Sequence, residues 1–355
     1  MIKIKRTKQP DIAIYNLKNQ KLTKAFRDEV LALIDTNSIH FSSFIPRLKD
    51  ANEKFTKAEK ETLQAIAYYG NPAHFANNEK LTKKKAPTFK VYKDSELKEF
   101  LKTLFNKKCA YCDSRFLSTS TADIEHFRPK AAFNPFKDNV DEKLLVPGYY
   151  WLAADWNNLL WSCVFCNRKN NLDQPNVPGV NPLGKKNRFP LSQEPRRIRS
   201  HDKDVKTEKR LLLIMDPCVD NPMKHFSYPV KNDEDLGIVK ALIKSNGKPS
   251  KKAVASIPIY GLNRTELVIA RKEAALDFKS IFMAVLDSID AFTRKKQAGE
   301  DTTEEKERFK FQKDRFNAKL SKSAEYLSMK QFLLEDFKDF PLLNRLGLKI
   351  ENLID

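Results

Sequence analysis

No stretch of this 355-residue chain approaches the ~20 consecutive apolar residues that a membrane-spanning helix needs, so a membrane protein of that type is not expected. The opening Met1-Ile2-Lys3-Ile4-Lys5-Arg6 carries charge but no apolar stretch behind it, which argues against a secretory signal. The expected location is the cytoplasm. Glycine is scarce, nine residues in all. A glycine-poor chain rich in Lys, Glu, Leu and Phe favours helix over sheet. Internal repeats and long low-complexity tracts are absent. Acidic residues are outnumbered: 46 Asp and Glu stand against 65 Lys and Arg, a formal net charge of +19. A surface this basic attracts polyanions, and nucleic acid is the commonest of them. Hydrophobic residues reach 41%, enough for a globule with a core rather than a disordered chain.

Cysteine is also sparse, but its placement is informative. Four of the five cysteines form two C-x-x-C pairs, Cys109/Cys112 and Cys163/Cys166. In a reducing compartment this pattern reads as metal binding rather than as disulfides. Four thiolates suit tetrahedral Zn²⁺, and with no open ligand position the site would be structural. A redox dithiol is the competing reading, though two matched pairs favour zinc. Cys218 stands alone and reads as a small buried residue.

The apolar pattern divides the chain into four regions. Residues 1–94 look helical. Leu22 to Ile34 places Leu22, Phe26, Val30, Leu31 and Ile34 near helical spacing, and Lys57 to Tyr69 does the same with Leu63, Ile66 and Tyr69. Residues 70–90 hold loop signals at Gly70-Asn71-Pro72 and Asn77-Asn78 and a charge run at Lys83-Lys84-Lys85. Residues 95–200 hold the chemistry. Ser95 is expected to cap a helix that ends at Lys107-Lys108 and delivers the chain into the first C-x-x-C. Residues 171–210 read as an irregular basic loop. Residues 201–262 form a small mixed segment, with strands expected at Leu211 to Met215 and around Ile238 to Ile243. Residues 263–355 turn strongly helical. Asn263 or Thr265 is the expected cap, and Leu267, Ala270, Ala274, Phe278, Ile281, Phe282, Val285 and Ile289 form one stripe. Gly299 to Thr303 breaks it, and a second helix is expected from Glu304 to about Phe337, completing a helical hairpin.

Between the two cysteine pairs lies Asp123-Ile124-Glu125-His126-Phe127-Arg128-Pro129-Lys130, and before the second pair Asp155-Trp156-Asn157-Asn158-Leu159-Leu160. A carboxylate followed by His is a weak signal alone, and a lone histidine is more often structural. Here the chain has only five histidines, and this one sits inside the cysteine frame with Arg128 and Lys130 just after it. Asn167, Arg168 and Lys169 follow the second pair at once.

The arrangement C-x-x-C, (D/E)-H, then N-L-x-x-x-C-x-x-C-(H/N) resembles the HNH, or ββα-metal, nuclease family. The pattern falls on Cys109, Cys112, Glu125, His126, Asn158, Leu159, Cys163, Cys166 and Asn167. The resemblance implies that His126 is the general base, that Glu125 and Asn167 hold one catalytic Mg²⁺ or Mn²⁺, and that Asn158 braces the hairpin and orients His126. Glu replaces the commoner Asp before the base, and Asn replaces His at the last position. Both changes keep oxygen donors, which suit a hard cation. Arg128, Lys130, Arg168 and Lys169 are candidate phosphate contacts, or else solvated surface charges. The fold class expected is α+β, mainly helical, with a ββα-metal HNH core and a structural four-cysteine zinc site flanked by helical segments.

A narrower resemblance covers about residues 95–280. Cys109-Ala110-Tyr111-Cys112, Ile124 to Lys130, Tyr150 to Leu160, Asn187-Arg188-Phe189-Pro190-Leu191, Met215 to Cys218 and Tyr260 to Arg264 are similar to the PtuB-type HNH subunits of Septu anti-phage systems and of related retrons. That implies an endonuclease effector of antiviral defence that works with an ABC-type ATPase partner. The C-terminal helices would then face that ATPase or a mate in a homodimer, or simply pack. DNA is the favoured substrate. An RNA- or tRNA-cleaving effector, and a non-catalytic zinc knuckle that binds nucleic acid or a partner, are the alternatives. The latter would have no need of Glu125, His126 and Asn167 together.

Overall fold

The computed structural model describes residues 1–17, 20–34, 45–71, 86–136, 140–175 and 177–354. The loop signals at Pro72 and Asn77-Asn78 and the lysine run Lys83 to Lys85 lie outside the described residues.

The N-terminal region is helical, as its spacing predicts. In α1 (Lys24–Leu33) the Thr23 side chain accepts the Phe26 N–H, and Val30 faces the core. A short α2 (Ile45–Lys49) leads to α3 (Lys57–Tyr69), which opens on a reciprocal capping box between Thr56 and Glu59. α3 buries Leu63, Ile66 and Tyr69, and Tyr69 stacks on Tyr150 with ring centroids 5.5 Å apart. α4 (Ser95–Leu104) is capped by Asp94 rather than Ser95. Asp94 is extended and its carboxylate accepts the Leu97 N–H, which makes Ser95 the first helical residue.

A two-stranded antiparallel ribbon follows. β1 (Ala122–His126) pairs with β2 (Leu159–Cys163), with Ala122 opposite Cys163 and His126 opposite Leu159. α5 (Val164–Asn167) continues directly from β2. The chain between β1 and β2 is mostly irregular, but it is packed hard. Tyr149, Tyr150, Trp151 and Trp156 are all buried. Part of the expected basic loop is a second ribbon, β3 (Asn170–Gln174) and β4 (Val177–Leu183), with a register shift between Leu172 and Gln174. Asn, Pro and Gly dominate this stretch and hide the strand signal.

Of the two strands expected next, one shrinks and one disappears. β5 (Phe226–Ser227) and β6 (Lys240–Ala241) form a two-residue ribbon. Leu211 to Met215 makes only one bridge, Leu212 to Leu191, and no strand. Leu211, Leu212, Ile214 and Met215 are buried with no alternation, which is why the run looks like a buried strand in sequence.

The C-terminal region holds α6 (Lys251–Ile259), α7 (Thr265–Ala298), α8 (Thr303–Ala318), α9 (Leu327–Phe337) and α10 (Pro341–Arg345). Neither Asn263 nor Thr265 caps α7. Its N-cap is Arg264, while the Asn263 amide bonds in both directions with the Val239 backbone. α7 ends on Gly299, which takes a left-handed φ of 73° as a helix C-terminus commonly requires. α7 and α8 form the expected hairpin. The second helical stretch is broken between Ala318 and Leu327, where Ser321 and Ser323 interrupt it. Phe278 stacks on Phe316 at 5.0 Å and Phe282 on Phe337 at 4.0 Å, so α8 and α9 both seal against α7. One apolar cluster runs from Met1 to Leu353. Among the described residues, no helix is long and apolar enough to cross a membrane.

Candidate metal centre and the cleft beside it

The two cysteine pairs come together as the spacing predicts. Cys109, Cys112, Cys163 and Cys166 are all buried, unpaired as disulfides, and their sulfurs lie within 4.8 Å of one another. Zn–S bonds of about 2.3 Å in a tetrahedron place sulfurs about 3.8 Å apart, and Cys112 Sγ stands 3.9 Å from Cys163 Sγ. The four residues are therefore positioned to bind a metal ion. The backbone prepares the site: Asp113 N–H donates to the Cys109 carbonyl, and Ala110 N–H donates to Trp161 of β2. The Cys163 N–H points at Cys109 Sγ, 3.4 Å away. Hydrogen bonds from Cys109 and the other two thiols, helped by Arg264, hold the Cys112 thiol well below its ordinary pKa. The same thiol cluster, with burial, pushes Cys109 and Cys163 well up, so one thiol of the cluster takes the thiolate form at the expense of its neighbours.

Arg264, the N-cap of α7, was not legible as a site residue. It is buried and donates to Cys166 Sγ at 3.5 Å and to the Gly261 carbonyl at 3.0 Å. Burial opposes its charge, but the sulfurs of Cys166, Cys112 and Cys163 outweigh that and push its pKa up. It supplies positive charge against what would be a dianionic four-thiolate centre.

Beside this centre β1, α5 and residues 186–187 frame a cleft of about 580 Å³, lined by Asp123, Glu125, His126, Lys130, Asn167, Arg168 and Lys169 among others. A larger cavity of about 1040 Å³ lies against α3. One oxygen of its buried carboxylate, Glu61 Oε2, accepts the Lys90 and Val91 amides. The donor set, rather than the volume, distinguishes the smaller cleft.

His126 is buried at the end of β1. Its Nε2 lies 3.0 Å from the Ala153 carbonyl, which can only accept, so Nε2 carries the proton and Nδ1 is the basic nitrogen. Nδ1 lies 3.3 Å from Lys130 Nζ. Burial first, and then the charge of Lys130, push the His126 pKa well below its usual value. Lys130 itself is pulled down to about 8, chiefly by burial, and its ammonium sits 4.1 Å over the Tyr92 ring.

Glu125 is ion-paired with Lys185, whose side chain is fully buried and also donates to the His126 carbonyl at 3.0 Å. Burial raises the Glu125 pKa and lowers that of Lys185, while their mutual attraction opposes both shifts. Asn167 gives Nδ2 to Asp123 at 2.9 Å, and its Oδ1 accepts no hydrogen bond among the described residues. Asn158 grips the turn after β1. Its Oδ1 accepts the Arg128 N–H at 2.7 Å, and its Nδ2 donates to the Arg128 and Leu152 carbonyls.

The basic residues divide. Arg168 and Lys169 line the cleft, where Arg168 forks onto Asp123 at 2.8 Å and Lys169 pairs with Asp141 at 2.6 Å. Arg128 turns elsewhere, toward Glu208 and over the Tyr149 and Phe189 rings, and does not line the cleft. Asp123 and Lys185 are the residues that sequence reasoning passed over. Asp123 stands two positions before Glu125 on a strand, hence on the same face, and that spacing was the available signal. Lys185 gave none.

No family model matches the chain. Over 219 residues the chain is 36% identical to the Septu protein PtuB of Bacillus mycoides strain KBAB4. That match covers 62% of this chain and 64% of PtuB. Over 185 residues it is 29% identical to the Septu protein PtuA of the same organism, covering 52% of this chain but 21% of PtuA. The chain thus spans a little under two thirds of one curated relative and about a fifth of the other. Its similarity is to Septu proteins in both cases.

Proposed function

We propose that this chain is a metal-dependent HNH endonuclease that hydrolyses phosphodiester bonds, in DNA rather than RNA, as an effector of Septu-type anti-phage defence beside an ATPase partner. The observation that carries the reading is the cleft itself. A buried imidazole with its Nδ1 free of backbone shares one cleft with a buried carboxylate and a carboxamide, on a β-β-α frame beside four clustered cysteines.

In this reading His126 takes a proton from the attacking water at Nδ1, and its Nε2–H stays on the Ala153 carbonyl to fix tautomer and tilt. Lys130 sits at the same nitrogen, so an arriving phosphate would draw its ammonium off His126 and free the base. Asn158 keeps the turn after His126 from relaxing. Glu125 and Asn167 would hold one Mg²⁺ or Mn²⁺, and their oxygen donors fit such a cation in kind. That ion would supply Lewis acidity to the phosphate and its leaving oxygen. Arg168 and Lys169 would dock flanking phosphates once released from Asp123 and Asp141. The cysteine centre would hold structural Zn²⁺, clamping the first knuckle to β2 and α5. Similarity to two Septu proteins supports the defence setting, and likeness to only a fifth of PtuA fits a module that works beside other Septu components.

The test is cleavage of plasmid DNA, single-stranded DNA and total tRNA with Mg²⁺ or Mn²⁺, by the chain alone and with its genomic neighbours. His126→Ala should abolish cleavage and keep fold and zinc content. Retained cleavage would remove His126 as the base, and cleavage confined to tRNA would replace DNA as the substrate.

A further inference from the structure

Lys185 is one of the few lysines buried among the described residues, with Lys108 and Lys330. Its side chain is completely buried, in a protein whose lysines are mostly at the surface. A buried ammonium is retained only where it is paired and hydrogen-bonded. Its partners are Glu125, one of the two proposed cation ligands, and the carbonyl of His126, the proposed base. The backbone around it is anchored just as firmly. Lys185 N–H donates to the Cys166 carbonyl at 2.9 Å and Lys186 N–H to the Asn167 carbonyl. One loop therefore ties the β1 end of the cleft to the α5 end, through a side chain on one side and through amides on the other.

We infer that Lys185 is a resident counter-ion of the cleft, a positioning residue that neutralises Glu125 in the metal-free protein and competes with the divalent cation for its carboxylate. The inference rests on the proposed role of Glu125 as a cation ligand. Its physical content is simple. A carboxylate this deeply buried needs a positive partner. Lys185 meets that need without metal, so the strand stays in register and the cleft stays formed while no cation is bound. The same charge weakens metal binding, because a unit positive charge a few ångströms away repels a dication. The site would load only where metal is plentiful, or where nucleic acid brings further negative charge into the cleft.

Mn²⁺ binding followed by electron paramagnetic resonance, with thermal melts in the presence and absence of Mn²⁺, tests this on the full chain. Lys185→Met should lower the melting temperature of the metal-free protein and bind Mn²⁺ at least about tenfold tighter than the unmodified chain. Added Mn²⁺ should restore more of its melting temperature than it adds to the unmodified chain. Lys185→Met combined with Glu125→Gln should recover metal-free stability and lose Mn²⁺ binding. Equal or weaker binding by Lys185→Met overturns the inference. So does a double variant as unstable as the single one, since packing rather than charge would then be the role. If Lys185→Met does not fold, the double variant decides alone. Glu125→Gln by itself separates the two readings. If it leaves Mn²⁺ binding intact, the cation role of Glu125 and the inference both fall. If it abolishes binding while Lys185→Met changes nothing, the nuclease reading stands and the inference alone falls.

Discussion

His126 is held at Nε2 by the Ala153 carbonyl, and the surroundings of Nδ1, the nitrogen proposed as the base, decide when it is available. Burial and the neighbouring Lys130 depress its pKa. The imidazole therefore stays neutral at pH values where an exposed histidine, at about 6.5, would already be charged. The acid limb of the cleavage rate against pH should lie below about 6.5. A limb at or above that value would mean a different base. Stability carries the same sign. The unfolded chain takes up a proton near 6.5 and the folded site resists it, so the contribution is complete above that pH and is lost as pH falls toward the lower folded value. At this scale the sequence was a good guide to residues whose type is rare and whose spacing is fixed, the four cysteines, which the fold brings together. It was a poor guide to Lys185 and Arg264. A lysine in a loop, or an arginine ahead of a helix, reads as solvated charge, because nothing local records that the tertiary fold will bury it.

Secondary structure was readable where local chemistry and packing agree. α3 has both a capping box at Thr56 and Glu59 and a clean apolar stripe, and its bounds were read correctly. The turn between α7 and α8 announces itself at Gly299. Errors arose where neighbouring residues compete for one role, as Asp94 and Ser95 do at α4, or where a tertiary contact recruits the candidate, as Val239 does with Asn263. The β3–β4 ribbon was missed because its residues are weak strand formers that pair only in context. That ribbon delivers the chain into the loop carrying Lys185, and Gly184 is the hinge. Its φ is +101°, and a Cβ there would fall 1.8 Å from the Arg168 carbonyl oxygen. Gly184→Ala should therefore cost at least about 2 kcal/mol in urea unfolding, from left-handed strain plus displaced backbone. It should also weaken Mn²⁺ binding, because the loop is hooked to Cys166 and Asn167. An unchanged unfolding midpoint would show that the approach of Gly184 to Arg168 is not required.

Taken whole, the molecule has charge to spare, and the cleft is where that charge is arranged rather than merely abundant. A net +19 would draw nucleic acid to many faces with little discrimination. Arg168 and Lys169 differ from the bulk because internal carboxylates already orient them. Arg168 is more than half exposed yet forks onto Asp123, and Lys169 reaches Asp141. Exposed pairs of this kind contribute little to stability, so exchanging them for phosphates costs the fold little. Replacing both residues with Ala should leave the melting temperature nearly unchanged. It should also flatten the plot of log affinity against log salt by about 0.9 for each phosphate no longer neutralised on duplex DNA. The measurement is binding of a catalytically dead His126→Ala chain, with and without the two substitutions, between about 50 and 200 mM salt. A slope shallower by the equivalent of two phosphates would place the duplex across the cleft. An unchanged slope would move it to another basic face.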